Sequence, residues 1–191
     1  MPRRRLSLLA LLVASVLLAG CAGGDDDADS GAGGSANTTT TTLVRAPATT
    51  VSTVPPIEGV QTFGGIDAGH SEAPISYPQM PPVGGIHNPI WQQCGFYPEP
   101  VPNEKAVHSL EHGAIWITFR PDLPQAEIDG LATLARSRNL ILVSRWDNNL
   151  PAPVVVTGWG RQLRLQSTTD PRLLEFVRLY ANQGPEINAP C

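Results

Sequence analysis

Apolar side chains in this chain are grouped into segments with two different periods, and each period predicts an element. Residues 114–119, Ala-Ile-Trp-Ile-Thr-Phe, are an almost unbroken run of β-branched and aromatic side chains, which predicts a buried strand ended by Arg120 and Pro121. Ile128, Leu131, Leu134 and Ala135 then recur at the spacing of one helix face, predicting a helix to about Arg138. Its start is read from Asp122 as N-cap with Gln125 three residues on, in the manner of a capping box. Apolar runs at 140–144 and 154–157 predict two more strands, separated by a proline turn at Pro151 and Pro153. After a bend at 158–160, residues 162–166 alternate polar and apolar as a half-exposed strand does. Asp170-Pro171 opens a last helix by N-cap and N1 proline, with Leu173, Leu174, Val177 and Tyr180 as its buried face and Gly184 as its stop.

These elements define the expected fold class, α+β or α/β: one small mixed-sheet domain with two helices. The order strand, helix, strand, proline turn, strand, strand, helix is similar to the thioredoxin-like arrangement, in which a proline precedes the third strand. The chain has no Cys-x-x-Cys, so disulfide exchange in its usual form is not expected of it. Ahead of the elements, residues 70–103 are rich in proline and glycine and read as a long irregular segment of turns. A loop of that length within a compact domain is usually functional.

The N-terminal third has a different character. Arg3, Arg4 and Arg5 precede an apolar run at 6–18, the pattern of an export signal and too short for the ~20 residues of a comfortable membrane span. The run ends in Leu18-Ala19-Gly20-Cys21, which resembles the lipobox of bacterial lipoproteins, so residues 1–21 are read as a lipoprotein signal peptide with Cys21 as the lipidated residue. The alternative is an ordinary signal peptide with a chance cysteine. Residues 22–56 are mainly Gly, Ser, Asp, Ala and Thr, a composition that cannot build a core and is expected to form a disordered tether. Residues 57–191 remain, enough for one hydrophobic core and too few for two.

Charge and cysteine content narrow the function. Removing the three leader arginines takes the formal charge from −4 to −7, and the remaining arginines are scattered, which excludes a nucleic-acid partner. With Cys21 assigned to lipid, Cys94 and Cys191 remain. In an oxidising compartment they are expected to form a disulfide that pins the C-terminus. The competing reading makes Cys94 a thiolate ligand and leaves Cys191 free. The chain has no phosphate-cradling glycine loop, no dinucleotide fingerprint and no serine nucleophile elbow.

The candidate chemistry lies in the irregular segment and just after it. All four histidines, His70, His87, His108 and His112, fall there, in the company of Tyr77, Met80, Cys94 and Glu111. Histidine is the commonest metal ligand, so His70, His87, His108 and His112, or three of them, form the candidate metal set, with Met80 and Glu111 as weaker candidates. Imidazoles with a thioether suit copper and imidazoles with a carboxylate suit zinc, so the expected ion is copper or zinc. The spacing of His108 and His112 places them on one helix face, with Glu111 adjacent. The same residues match the H-x-x-E-H pattern of zinc peptidases, in which the glutamate activates water. That chemistry requires a long rigid helix, however, whereas Gly113 and the following strand predict about one turn.

A rival reading is a non-catalytic envelope module that binds a protein or cell-wall glycan and uses its histidines for fold integrity. Tyr77, Trp91, Phe96 and Tyr97 would then form an aromatic recognition surface. Trp116, Trp146 and Trp159 are expected in or near the core, and Glu99, Glu104 and Lys105 as solvated loop charges.

Three stretches, Pro81-Pro82-Val83-Gly84-Gly85-Ile86-His87, Trp91-Gln92-Gln93-Cys94-Gly95 and His108-Ser109-Leu110-Glu111-His112-Gly113-Ala114-Ile115-Trp116, together resemble the family grouped as domain of unknown function 3105. The likeness extends from about His70 to Cys191 and includes the Arg120-Pro121-Asp122-Leu123-Pro124 turn and the Trp159-Gly160-Arg161 bend. It implies a secreted or lipid-anchored bacterial envelope protein, many relatives being actinobacterial, with no reaction attached. The expected partners are the membrane, through the N-terminal lipid, a metal ion and an envelope protein.

Overall fold

The computed structural model describes residues 57–191; the expected leader with Cys21 and the tether lie outside the described residues. In chain order the elements are β1 (Gln61–Thr62), β2 (Gly95–Tyr97), α1 (Asn103–Glu111), β3 (Ile115–Phe119), α2 (Gln125–Ser137), β4 (Ile141–Arg145), β5 (Val154–Gly158), β6 (Arg161–Leu165) and α3 (Pro171–Tyr180). The strands form one mixed sheet in the order β1-β6-β5-β3-β4-β2. Strands β2, β4 and β3 run parallel, whereas β5 lies antiparallel to β3, and β6 and β1 continue antiparallel. Among the described residues no helix is long and apolar enough to cross a membrane.

All five residues of β3 are buried because helices cover both faces of the sheet. The period-2 alternation of a strand sends Ile115, Ile117 and Phe119 to one face, where they pack with Leu131 of α2 and Leu173, Phe176 and Val177 of α3. Trp116 points the other way, into a smaller cluster with Leu142 and with Ala106 and Leu110 of α1. Its indole N–H donates to Ser144 Oγ at 3.0 Å, so the buried ring keeps its polar atom satisfied. Trp146 and Trp159 pack against the same cluster, as expected of near-core residues.

The order β3, α2, β4, proline turn, β5, β6, α3 is the one the hydrophobic pattern predicts. Among the described residues there are three helices instead of the expected two, because α1 forms where the irregular segment of 70–103 ends, at a place where only about one turn is predicted. Glu104 and Lys105 therefore lie in a helix and not in a loop. The same segment also contributes β2, whose register beside β4 runs from Gly95 opposite Leu142 to Tyr97 opposite Ser144.

Two expected helix ends need correction. Asp122 does not cap α2: Pro124 occupies the flanking position, with no side-chain cap, and its carbonyl accepts from Glu127 N at 2.9 Å and Ile128 N at 3.1 Å. A proline disfavours helical backbone in the residue before it, so the helix cannot extend back through Leu123 to Asp122. Asp170 does cap α3, accepting from Arg172 N at 3.0 Å with Pro171 in the first turn. That helix ends at Tyr180, before Gly184, because Ala181 is extended and Asn182 takes a left-handed φ of 59°.

A disulfide joins Cys94, just before β2, to Cys191 across a sequence separation of 97. The pairing removes Cys94 from the possible ligands.

Candidate metal centre

Helix α1 carries the centre. Its buried face runs from Ala106 to Glu111, and His108, Glu111 and the capping residue His112 stand at positions i, i+3 and i+4 of that face. The helix is longer than the single turn expected, because loop residues dock along it. Ser109 Oγ donates to Gln92 O at 2.6 Å and accepts from Gln92 N at 3.1 Å, and Asn88 N donates to Glu104 O at 3.2 Å. Gly113 follows with φ +87°, and a Cβ there would sit 2.6 Å from Asn182 Cα. A Cβ on Gly184 would collide with the Glu111 carbonyl oxygen. The two glycines thus let the C-terminal tail lie against the end of α1.

The other two histidines arrive as a backbone pair. His70 and His87 form a parallel bridge in which Ser71 N donates to His87 O at 2.7 Å and His87 N donates to Gly69 O at 2.8 Å. Their ring centroids are 4.7 Å apart, and each lies within 5.0 Å of the His108 centroid.

Glu111 is the hub. Its Oε2 lies 2.9 Å from His87 Nε2, 3.7 Å from His70 Nε2 and 3.9 Å from His108 Nε2. The carboxylate expected as a weaker candidate is therefore central, with 4% of its side chain exposed. His70, His87, His108 and Glu111 offer donor atoms all within 4.8 Å of one another, so the group could hold a metal ion. His112 stands in a second group with Glu111 and Glu186, its Nε2 2.9 Å from His108 Nε2 and 3.6 Å from Glu186 Oε2.

Main-chain carbonyls set the tautomers. His87 Nδ1 faces Gly85 O at 2.7 Å, His108 Nδ1 faces Asn88 O at 2.7 Å and His112 Nδ1 faces Pro190 O at 2.5 Å. A carbonyl can only accept, so each Nδ1 carries a hydrogen, and each Nε2, once it holds no second proton, presents a lone pair to the centre. Outer carbonyls orient metal-bound histidines in this way. Without a cation, the His108–His112 contact pairs two acceptors unless an additional proton lies between them. Burial and the neighbouring imidazoles push the His108 pKa down, opposed by the Asn88 carbonyl and Glu111.

The remaining predicted residues fall elsewhere. Met80 is 47% exposed and its sulphur meets the Asn103 amide at 4.0 Å. The aromatic recognition surface does not form. Tyr77 is buried and donates to Ile86 O, Phe96 stacks on Phe119, and Tyr97 packs into the Trp116 cluster. These rings bury more apolar surface in the core than they could at the surface. Trp91 alone of the four is exposed, with its ring centroid 5.4 Å from that of His112. Glu186 and the three orienting carbonyls were not anticipated. A lone glutamate in the C-terminal tail gives no sequence signal, and carbonyls give none by nature.

The family described as Protein of unknown function (DUF3105) matches residues 70–191, so the chain belongs to that family. The matched span includes every residue of both donor groups. No curated protein and no solved structure matches the chain.

Proposed function

We propose that this family member is an exported lipoprotein, held through Cys21 on the outer face of the membrane, which binds a transition-metal ion for scavenging, delivery or protection. The folded part would bind the ion through His70, His87, His108 and Glu111. One observation carries the reading: three imidazole Nε2 atoms converge on one Glu111 oxygen. Donors bonded at ~2.1 Å to one ion lie at most ~4.2 Å apart, and the three separations from Glu111 fall inside that limit. Imidazoles with a carboxylate favour zinc over copper, and Met80, the thioether that would suit copper, lies against Asn103.

The non-catalytic envelope module is the second reading, supported by the backbone hydrogen bond that each of three rings makes and by the exposure of Trp91. In that case Glu111 and the histidines would serve only to tie loop 70–90 to α1. Catalytic use of the H-x-x-E-H pattern has less support, because Glu111 already faces three imidazoles.

Metal analysis of protein purified without a histidine tag, repeated on His108→Ala/His112→Ala, tests the proposal. A stoichiometric ion in the wild type that is lost from the double variant supports it. No bound ion, and no heat of zinc or copper titration into the wild type, leaves the scaffold reading.

A further inference from the structure

His112 and Glu186 stand outside the set of donors that the first ion would take. The first group leaves out His112, whereas Glu111 belongs to both groups. His112 has the same outer support as His87 and His108: its Nδ1 donates to a main-chain carbonyl, here that of Pro190, so its Nε2 presents a lone pair. That lone pair points toward His108 Nε2 at 2.9 Å and lies 3.6 Å from Glu186 Oε2. Glu186 is itself held in place, since its main-chain N–H donates to Glu111 O at 2.9 Å. Close passage of the tail at Gly113 and Gly184 completes the second half of the site.

We propose that the centre binds two divalent transition-metal ions side by side, one on His70, His87 and His108, the other on His112 and Glu186, with the Glu111 carboxylate bridging them. This inference rests on the metal-binding reading above and adds its stoichiometry. Two ions sharing a carboxylate sit ~3.5–4 Å apart in known two-metal sites. Each of the facing Nε2 atoms of His108 and His112 then has its own cation, which resolves the contact between two acceptors. The charge of Glu186 joins that of Glu111 in offsetting the two cations. The Glu186 side chain is 56% exposed, which gives the second ion a route to solvent.

The experiment is metal counting on the full chain, purified without a tag and equilibrated with zinc, together with electron paramagnetic resonance of the cobalt(II) form. The wild type is expected to hold two equivalents and Glu186→Gln one. The cobalt signal of the wild type should be attenuated by coupling and should recover in the variant. Glu186→Gln keeps the main-chain bond to Glu111, so loss of one equivalent reports on the carboxylate and not on folding. One equivalent in both proteins overturns the pair while leaving the single-ion proposal standing. Two in both overturns the role of Glu186, and none in the wild type overturns both proposals.

Discussion

His108 Nε2 and His112 Nε2 face each other at 2.9 Å, and the Nδ1 atoms of both rings are committed to main-chain carbonyls. Two lone pairs at that separation need a proton or a cation to hold them together. Replacing that proton with a metal should release it, as ligand deprotonation does generally. Zinc titrations in buffers of different ionisation enthalpy should therefore give heats that vary with the buffer and correspond to net proton release. Heats independent of the buffer would contradict a proton shared between the two rings.

His70 is the most exposed of the histidine ligands, with 46% of its side chain accessible. His70→Ala should leave folding stability within about 0.5 kcal/mol, as surface changes generally do. It should weaken zinc binding by at least the ~10–100-fold that losing an outer-shell partner costs. Chelator competition measures the affinity and urea denaturation the stability. Unchanged affinity would exclude His70 as a ligand.

The disulfide closes a loop with a sequence separation of 97, for which chain entropy predicts about 4.7 kcal/mol as an upper figure. It also holds Pro190, whose carbonyl orients His112, directly beside Cys191. Cys94→Ser/Cys191→Ser should lower the urea midpoint and weaken binding at His112 more than at His87, because the Gly85 carbonyl behind His87 does not depend on the tail. Proton resonances of the two imidazoles, followed during zinc titration, would show the difference.

Glu127 links α2 to the loop before α3. Its Oε2 accepts from Thr168 N at 2.6 Å, Thr168 Oγ1 at 2.9 Å and Ser167 Oγ at 2.9 Å. The backbone N–H of Thr168, followed by the two hydroxyls, holds its pKa below the ordinary glutamate value. A carboxyl lowered in the folded state contributes stability above its unfolded pKa of ~4.3 and loses it as pH falls through the folded value. The stability difference between wild type and Glu127→Gln should thus be constant from neutral pH to about 5 and shrink below that. Urea midpoints at pH 7 and pH 3.5 check the sign, and a difference that grows on acidification would refute it.

Much of the sheet was legible from the chain alone. Ile115, Ile117 and Phe119 alternate with Trp116 and Thr118, and that period survives into the two faces of β3. Asp170-Pro171 starts its helix as expected, because an N-cap and an N1 proline act within one turn. Helix α1 is longer than the single turn the sequence predicts because its stability comes from docking with Gln92 and Asn88, a contribution local propensity does not carry. Asp122 failed as a cap because the backbone restriction imposed by Pro124 outweighed a favourable side chain.

By itself, the sequence determined which residue types are available: four histidines and a glutamate in one stretch, and two cysteines left to pair. Those are properties of composition and short-range spacing. Only the tertiary structure decided that Glu111 is the hub, that Glu186 comes close to His112, and that Met80 lies against Asn103. The direction of an imidazole depends on which carbonyl lies behind it. Gly85, Asn88 and Pro190 reach those positions only after a parallel bridge, a docked loop and a disulfide-tied tail have closed long loops of chain.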